Sequence, residues 1–179
     1  MRKSIALIGF GKWGKTLYKS IKKICKIKYI LKSKDNLNKV LKNIQWAVVA
    51  TPDRTHYKIL KKLIDAKINI FCEKPLALNH KSARRLIDLA KKSKIKIYVS
   101  DIENFKNKKI KLTDKNYIYR SKEKKVKNYD FLRKLFYHDI YLLYPKLKVE
   151  NIKKINYFKS LYTAQILILS KNKTFFFTY

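Results

Sequence analysis

All three glycines of this 179-residue chain fall in one six-residue stretch, Gly9-Phe10-Gly11-Lys12-Trp13-Gly14, directly after the apolar run Ile5-Ala6-Leu7-Ile8. A short aliphatic run that ends in Gly-x-Gly-x-x-Gly and continues into helix-period apolar residues has the strand-turn-helix context of a dinucleotide fingerprint. The chemistry dictates the residue type. Gly9 permits a tight turn, Gly11 lets the backbone approach a diphosphate, and Gly14 lets the helix lie close on the strand. Free N–H groups at the helix start then face the phosphate charge. Two further groups, Thr51-Pro52 and Glu73-Lys74-Pro75, sit just past predicted strand ends, on the edge where open α/β sheets bind ligands. Lys74 is the principal catalytic candidate. An ammonium beside a nicotinamide hydrogen-bonds a substrate hydroxyl and stabilises the alkoxide that develops during hydride transfer. Pro75 biases Lys74 away from helical backbone, and Glu73 is a candidate ion-pair partner that orients it.

The elements that must position these residues alternate between two periods. Trp13, Leu17, Ile21 and Ile24 recur at helical spacing, while Lys15, Lys19, Lys22 and Lys23 occupy the opposite face. Residues 27–31 form a second strand, and the side chains at its end select the cofactor. An acidic residue there accepts hydrogen bonds from an adenosine ribose, whereas basic and hydroxyl residues accommodate a 2′-phosphate. Lys32 and Ser33 favour NADP over NAD; a strand end displaced by one residue makes Asp35 the ribose ligand instead. Residues 46–50 read as a parallel strand covered on both faces. Ile59, Leu60, Leu63 and Ile64 mark the next helix, capped by Asp53 or Thr55. A strand over 68–72, a helix capped by Asn79 with Ala83, Leu86, Ile87 and Ala90 inward, and a strand over 95–99 complete the series. Such alternation implies right-handed crossovers and a parallel, doubly wound sheet, an α/β fold of the Rossmann type.

Composition narrows the function classes. An apolar fraction of 46% is that of a globular chain. The formal net charge of +33 invites a nucleic-acid reading. However, 39 of the 45 basic residues are Lys, spread over every segment, whereas Arg is the residue of bidentate phosphate and base contacts. The excess reads as a solvated surface, and nucleic acid is not the expected partner. Cys25 and Cys72 are too few for a disulfide framework or a zinc site, so no metal is expected and a reducing cytoplasm fits. Arg2 and Lys3 ahead of an apolar run imitate a secretory signal, but Gly9, Lys12 and Lys15 interrupt it. No run approaches the length of a membrane span.

Three motifs carry a resemblance. Gly9-Phe10-Gly11-Lys12-Trp13-Gly14, then Ala50-Thr51-Pro52-Asp53-Arg54-Thr55-His56, then Cys72-Glu73-Lys74-Pro75-Leu76-Ala77 closely resemble the glucose-fructose oxidoreductase, inositol dehydrogenase and rhizopine-catabolism (Gfo/Idh/MocA) family over residues 1–100. The resemblance implies a Rossmann domain binding NAD or NADP, followed by an α/β domain whose open sheet carries the substrate side and commonly the oligomer interface. Members mostly oxidise or reduce a hydroxyl of a sugar, cyclitol or sugar nucleotide. The three motifs and the residues after the second strand are the cofactor-binding set: Gly9, Phe10, Gly11, Lys12, Trp13, Gly14, Lys32, Ser33, Thr51, Pro52, His56, Glu73 and Lys74. His56 matches the family's histidine in the Thr-Pro loop and is read as support for that loop.

Beyond residue 100 the pattern changes. Residues 104–115 are Lys- and Asn-rich, 117–120 form a short strand, and 121–128 form a charged loop. Leu132, Leu135, Phe136, Ile140 and Leu143 share a helical face ending near Pro145. His138-Asp139-Ile140 resembles the family's substrate-side helix, where a histidine transfers protons, which makes His138 the second catalytic candidate. Four residues earlier, where the family often has Asp, this chain has Lys134. Residues 152–158, 161–169 and 174–179 read as antiparallel strands of a small α+β domain. The expected division is therefore a nucleotide-binding domain over 1–116 and a shortened substrate and oligomerisation domain over 117–179. The expected partners are a small sugar-like substrate and further copies of the chain through the C-terminal sheet. A catalytically inactive nucleotide-binding sensor or assembly subunit of the same fold is the alternative.

Overall fold

Four apolar residues in a row need cover on both faces, and Ile5 to Ile8 receive it as an interior strand of a five-stranded sheet. The computed structural model of the chain describes residues 4–100, 111–119, 136–143, 147–160 and 163–179. It divides into two compact units, Met1–Ser100 and Asp101–Tyr179.

In the first unit the order is β1 (Ser4–Ile8), α1 (Lys12–Ile21), β2 (Lys26–Leu31), β3 (Trp46–Val49), α2 (Asp53–Asp65), β4 (Asn69–Cys72), α3 (His80–Lys92) and β5 (Ile97–Val99). The sheet runs β2-β1-β3-β4-β5 with every pair parallel. The chain steps outward from β1 to β2 and then returns past β1 to β3. The winding reverses there, which leaves a crevice above the carboxyl ends of β1 and β3. Alternation along β1 divides the core. Ala6 and Ile8 join Val49, Leu60, Leu63, Ile70 and Leu86 on one face, and Ile5 and Leu7 join Val48 with Leu17 and Ile21 on the other. Leu60 and Leu63 are fully buried, and truncating either to Ala would cost about 2–5 kcal/mol.

Three details depart from the periodic reading. Helix α1 ends at Ile21, closed by Lys23 N–H donating to the Ser20 carbonyl and Ile24 N–H to that of Ile21, so Ile24 has left the helical period and is 73% exposed. Ile87 is exposed on α3, because Leu86 and Ala90, one turn apart, already centre the buried stripe. The N-cap of α2 is Pro52 rather than Asp53 or Thr55. Asp53 is the first helical residue, and the Thr55 hydroxyl is spent on Thr51 Oγ1 and the Pro52 carbonyl. Asn79 caps α3 as expected, accepting from Ser82 N–H at 2.9 Å.

The second unit contains β6 (Lys115–Tyr119), α4 (Tyr137–Leu143), β7 (Ile152–Lys159), β8 (Ala164–Ser170) and β9 (Lys173–Thr178). Its sheet runs β6-β9-β8-β7. β7, β8 and β9 are antiparallel, as their short connections dictate, but β6 lies parallel to β9, so the sheet is mixed rather than purely antiparallel. No hairpin turn joins β6 to β9, and local turn chemistry therefore does not set their direction. Ile166, Ile168, Phe175, Phe177 and Tyr179 are buried with Leu143 and Leu147. The Tyr179 hydroxyl donates to the buried Asp139 Oδ2 at 2.8 Å. The expected loop over 121–128, most of 104–115 and the start of the expected helix, Lys134 included, lie outside the described residues.

Candidate functional site

The glycine turn is built as its residue types require, and each glycine has a different reason. Gly9 adopts φ +97°, and a Cβ on it would stand 2.6 Å from the Ala50 carbonyl oxygen. A Cβ on Gly14 would collide with the Gly9 carbonyl oxygen, so α1 can lie this close to the turn only without one. Gly11 differs: nothing lies within 4 Å of the place its Cβ would take. It is the N-cap of α1 and supplies no capping side chain. The first amides of that helix are left to an outside acceptor, and the helix dipole favours a negative one. Gly9 N–H donates to the Leu31 carbonyl at 2.8 Å and Ala50 N–H to that of Ile8 at 2.8 Å, which pins the turn between β2 and β3.

Over this turn opens a cavity of about 780 Å³, within the range of small-ligand sites. Gly9, Phe10, Gly11, Lys12 and Trp13 form its floor, Lys32 and Ser33 one side, and Thr51 and Pro52 the other. Nine of the residues expected to hold a cofactor thus meet in one place, although β2 and β3 separate them in the chain. Gly14 lies buried behind the turn. His56, Glu73 and Lys74 are not in the wall of this cavity. Asp35, Leu37, Arg54, Thr55 and Ile59 also line it, with Ile8, Leu31 and Ala50 from the strand ends. Of these, sequence singles out Asp35 alone as a ligand. Trp13, placed by its period on the sheet-facing side of α1, instead reaches the cavity and is 46% exposed.

Behind the wall, His56 is buried at 1% exposure and joins two loops. Its Nδ1 lies 2.7 Å from the Pro75 carbonyl oxygen and its Nε2 2.9 Å from that of Thr51. A neutral ring donates from one nitrogen and a doubly protonated ring from both. Either way the imidazole ties the Thr51-Pro52 loop to the Glu73-Lys74-Pro75 corner. This is the support expected of it, reached through backbone carbonyls rather than through the cavity. The Lys74–Pro75 peptide bond is cis.

Cys72 stands beside this histidine, Sγ 3.6 Å from Nδ1, and its thiol donates to the Glu73 carbonyl at 3.1 Å. Burial, reinforced by the Glu73 charge, pushes the thiol up to about 12. It is a packed thiol and no nucleophile at neutral pH. Glu73 Oε1 is buried without a hydrogen-bond partner among the described residues. Such an acceptor is costly unless a donor from elsewhere meets it. His138 is half-buried on α4 of the second unit, next to the fully buried Asp139, while Lys74 belongs to the first unit. Among the described residues no group of His, Cys, Asp and Glu could hold a metal ion, and no helix is long and apolar enough to cross a membrane.

Comparison with known proteins agrees with this architecture. Residues 18–100 match the model of an oxidoreductase family with an NAD-binding Rossmann fold. An uncharacterized oxidoreductase of Streptococcus pneumoniae is 33% identical over 64 residues, which is 36% of this chain and 17% of the relative. One of Schizosaccharomyces pombe is 30% identical over 63 residues, 35% of this chain and again 17% of the relative. The matched stretch is thus a small part of either curated relative. Among solved structures, the UDP-N-acetylglucosamine 3-dehydrogenase GnnA of Acidithiobacillus ferrooxidans superposes with TM-score 0.82 at 14% identity, over 99% of this chain and 69% of that one. GenD2 from gentamicin A biosynthesis, in complex with NAD, superposes with TM-score 0.76 at 16% identity, over 99% of this chain and 65% of that one. At these identities the structures establish the fold: a Rossmann-type unit followed by a smaller mixed-sheet unit.

Proposed function

We propose that this chain, whose residues 18–100 match the model of an oxidoreductase family with an NAD-binding Rossmann fold, is a Gfo/Idh/MocA-type oxidoreductase that binds NAD or NADP and transfers a hydride to or from a hydroxyl-bearing carbon of a sugar, cyclitol or sugar-nucleotide-like substrate. One observation carries the reading. Gly11 faces open space at the uncapped start of α1, on the floor of a cavity of about 780 Å³. Backbone donors without an acceptor, held in a fixed turn beneath a cavity, are what a diphosphate requires. The residues present therefore fit the cofactor: the turn from Gly9 to Trp13 would hold the diphosphate, and Lys32, Ser33, Thr51 and Pro52 line the rest of the cavity. When bound, the nicotinamide accepts or supplies the hydride.

The chain's own residues then have separable tasks. His56 holds the Thr51 and Pro75 carbonyls together and so sets where the Glu73-Lys74-Pro75 corner stands. Lys74 donates a hydrogen bond to the substrate oxygen and stabilises negative charge on it as the hydride leaves carbon. His138, on α4 of the second unit, is kept as the candidate for proton transfer. The test has two stages. Purified protein is titrated with NADH and with NADPH by nucleotide fluorescence, and turnover is then followed at the nicotinamide absorbance across a panel of sugars, cyclitols and sugar nucleotides. Lys74→Ala is expected to keep cofactor affinity and lose turnover by about 10²–10⁴-fold. Absence of binding by either nucleotide sinks the reading of the cavity, and full turnover by Lys74→Ala sinks the role of that residue.

A second reading, a nucleotide-binding sensor or assembly subunit without turnover, draws on the second unit. There the sheet face opposite the core carries the exposed rings of Tyr117, Tyr119 and Phe158. Tyr117 and Phe176 stack at 4.8 Å on the same face. Exposed apolar surface of this kind marks association sites, and homo-oligomerisation through this sheet serves either reading. Wild type that binds nucleotide yet transfers no hydride across the panel would decide for the second.

A further inference from the structure

The end of the cavity away from the glycine turn has a composition that diphosphate binding does not explain. Lys32 and Ser33 enter it from the end of β2, Arg54 from the first turn of α2, and Leu37 and Ile59 add apolar wall. Arg54 stands out for three reasons. It is one of only six arginines against 39 lysines, so the lysine excess of the chain does not account for it. It sits at the positive end of the α2 dipole, where a cation is locally unfavourable. It also makes no ion pair among the described residues. Lys61 with Asp65 and Arg84 with Asp88 are helical i,i+4 ion pairs, whereas the residue four after Arg54 is Lys58.

The one carboxylate among the described residues of the cavity wall is already engaged. Asp35 Oδ2 accepts the Lys32 backbone N–H at 2.6 Å, and Asp35 N–H in turn donates to the Lys32 carbonyl at 3.1 Å. The carboxylate is folded back onto its own turn as a conformational clamp. In this arrangement it holds Lys32 and Ser33 at the cavity, and three cations, Lys12, Lys32 and Arg54, face one internally bonded anion. A diphosphate over the glycine turn answers Lys12. Lys32 and Arg54 remain as further cations of the same wall, with the Ser33 hydroxyl as a further donor.

The geometry points to NADP(H) as the cofactor, with Arg54 as a specificity-determining residue that receives the ribose 2′-phosphate together with Lys32 and Ser33. This rests on the reading that the cavity holds a dinucleotide. A 2′-phosphate brings about two negative charges and three acceptor oxygens, and a guanidinium meets such a group with paired donors where an ammonium offers a point charge. The flat guanidinium also offers a face to the adenine, with Leu37 and Ile59 as apolar neighbours.

The test measures a ratio. NADPH and NADH affinities are determined for wild type, Arg54→Gln and Asp35→Asn, and 2′,5′-ADP is compared with 5′-AMP as a probe differing only in the 2′-phosphate. Wild type is expected to prefer NADPH and 2′,5′-ADP by about tenfold or more, as charge-assisted hydrogen bonds allow. Arg54→Gln should shrink that ratio about tenfold, and raising salt should shrink it further. Glutamine keeps the length and helix tolerance of the position, and melting curves confirm an unchanged fold. Equal affinity for the two dinucleotides, or an unchanged ratio in Arg54→Gln, overturns the proposal while leaving dinucleotide binding intact. A preference for NADH that Asp35→Asn abolishes overturns it in favour of Asp35 as ribose ligand. Binding of neither dinucleotide removes the cofactor reading itself.

Discussion

Gly11→Ala and Gly14→Ala differ by one methyl each, three residues apart, and should fail in opposite ways. Gly11 has φ −73° and ψ −166°, extended backbone open to alanine, and its new methyl would meet no heavy atom within 4 Å. The apo protein should lose only the small penalty of alanine against glycine at an N-cap, at most about 1 kcal/mol. The methyl nevertheless occupies the space through which phosphate oxygens must come within about 3 Å of the helix amides. Losing two charge-assisted bonds of about 1.5–3 kcal/mol each removes about 3–6 kcal/mol, or about 10²–10⁴ in affinity. Gly14→Ala instead drives a methyl into the Gly9 carbonyl oxygen inside the packed turn. Relief requires α1 to lift from the sheet, and overpacking of this kind costs about 1–3 kcal/mol or more before any ligand is added. Thermal melts of both variants, paired with NADPH titration, separate the two. Wild-type affinity in Gly11→Ala would refute the placement of the diphosphate, and a wild-type melt in Gly14→Ala would refute the close packing.

Cys72 and the second sheet supply two further tests. Cys72, buried and with its thiol raised to about 12, should resist a thiol reagent at pH 8 in the native protein while the half-exposed Cys25 reacts; two thiols reacting natively at one rate would contradict this. Because the unfolded thiol ionises near its ordinary value of 9.0, the unfolded chain releases a proton between about 9 and 12 that the folded chain retains. The protection is therefore complete below 9 and is lost as pH rises through that window, and wild type should lose more stability there than Cys72→Ala does. Tyr119 lies on the open face of the second sheet at 74% exposure. If copies of the chain associate through that face, Tyr119→Lys should shift sedimentation equilibrium toward monomer with an unchanged melting profile; a wild type that is monomeric at every concentration would dismiss that interface.

Much of the site was legible because the signals are local. Three glycines confined to one turn, an apolar quartet before them, and Asn79 ahead of a periodic run each report on a few neighbouring residues. The alternation of strand and helix then restricts how those pieces connect. Periodicity misjudged Ile24 and Ile87, because a helix ends where its turn closes and buries the stripe that its neighbours select. Pro52 at the α2 cap was hidden for a similar reason, since the Thr55 hydroxyl donates to Thr51 Oγ1 and the Pro52 carbonyl instead of accepting from a helix amide.

What the chain determined by itself is the glycine turn and the order of its elements, since backbone freedom and side-chain period are properties of residue types. What only the tertiary structure decided is which side chains share the cavity. The winding reversal at β1 sets residues from the end of β2 and from the first turn of α2 on either side of one crevice. No local pattern announces that Arg54 lines the same cavity as Lys32. That shared lining exists because the sheet order places the strand ends side by side, and sheet order is fixed by the packing of the whole unit.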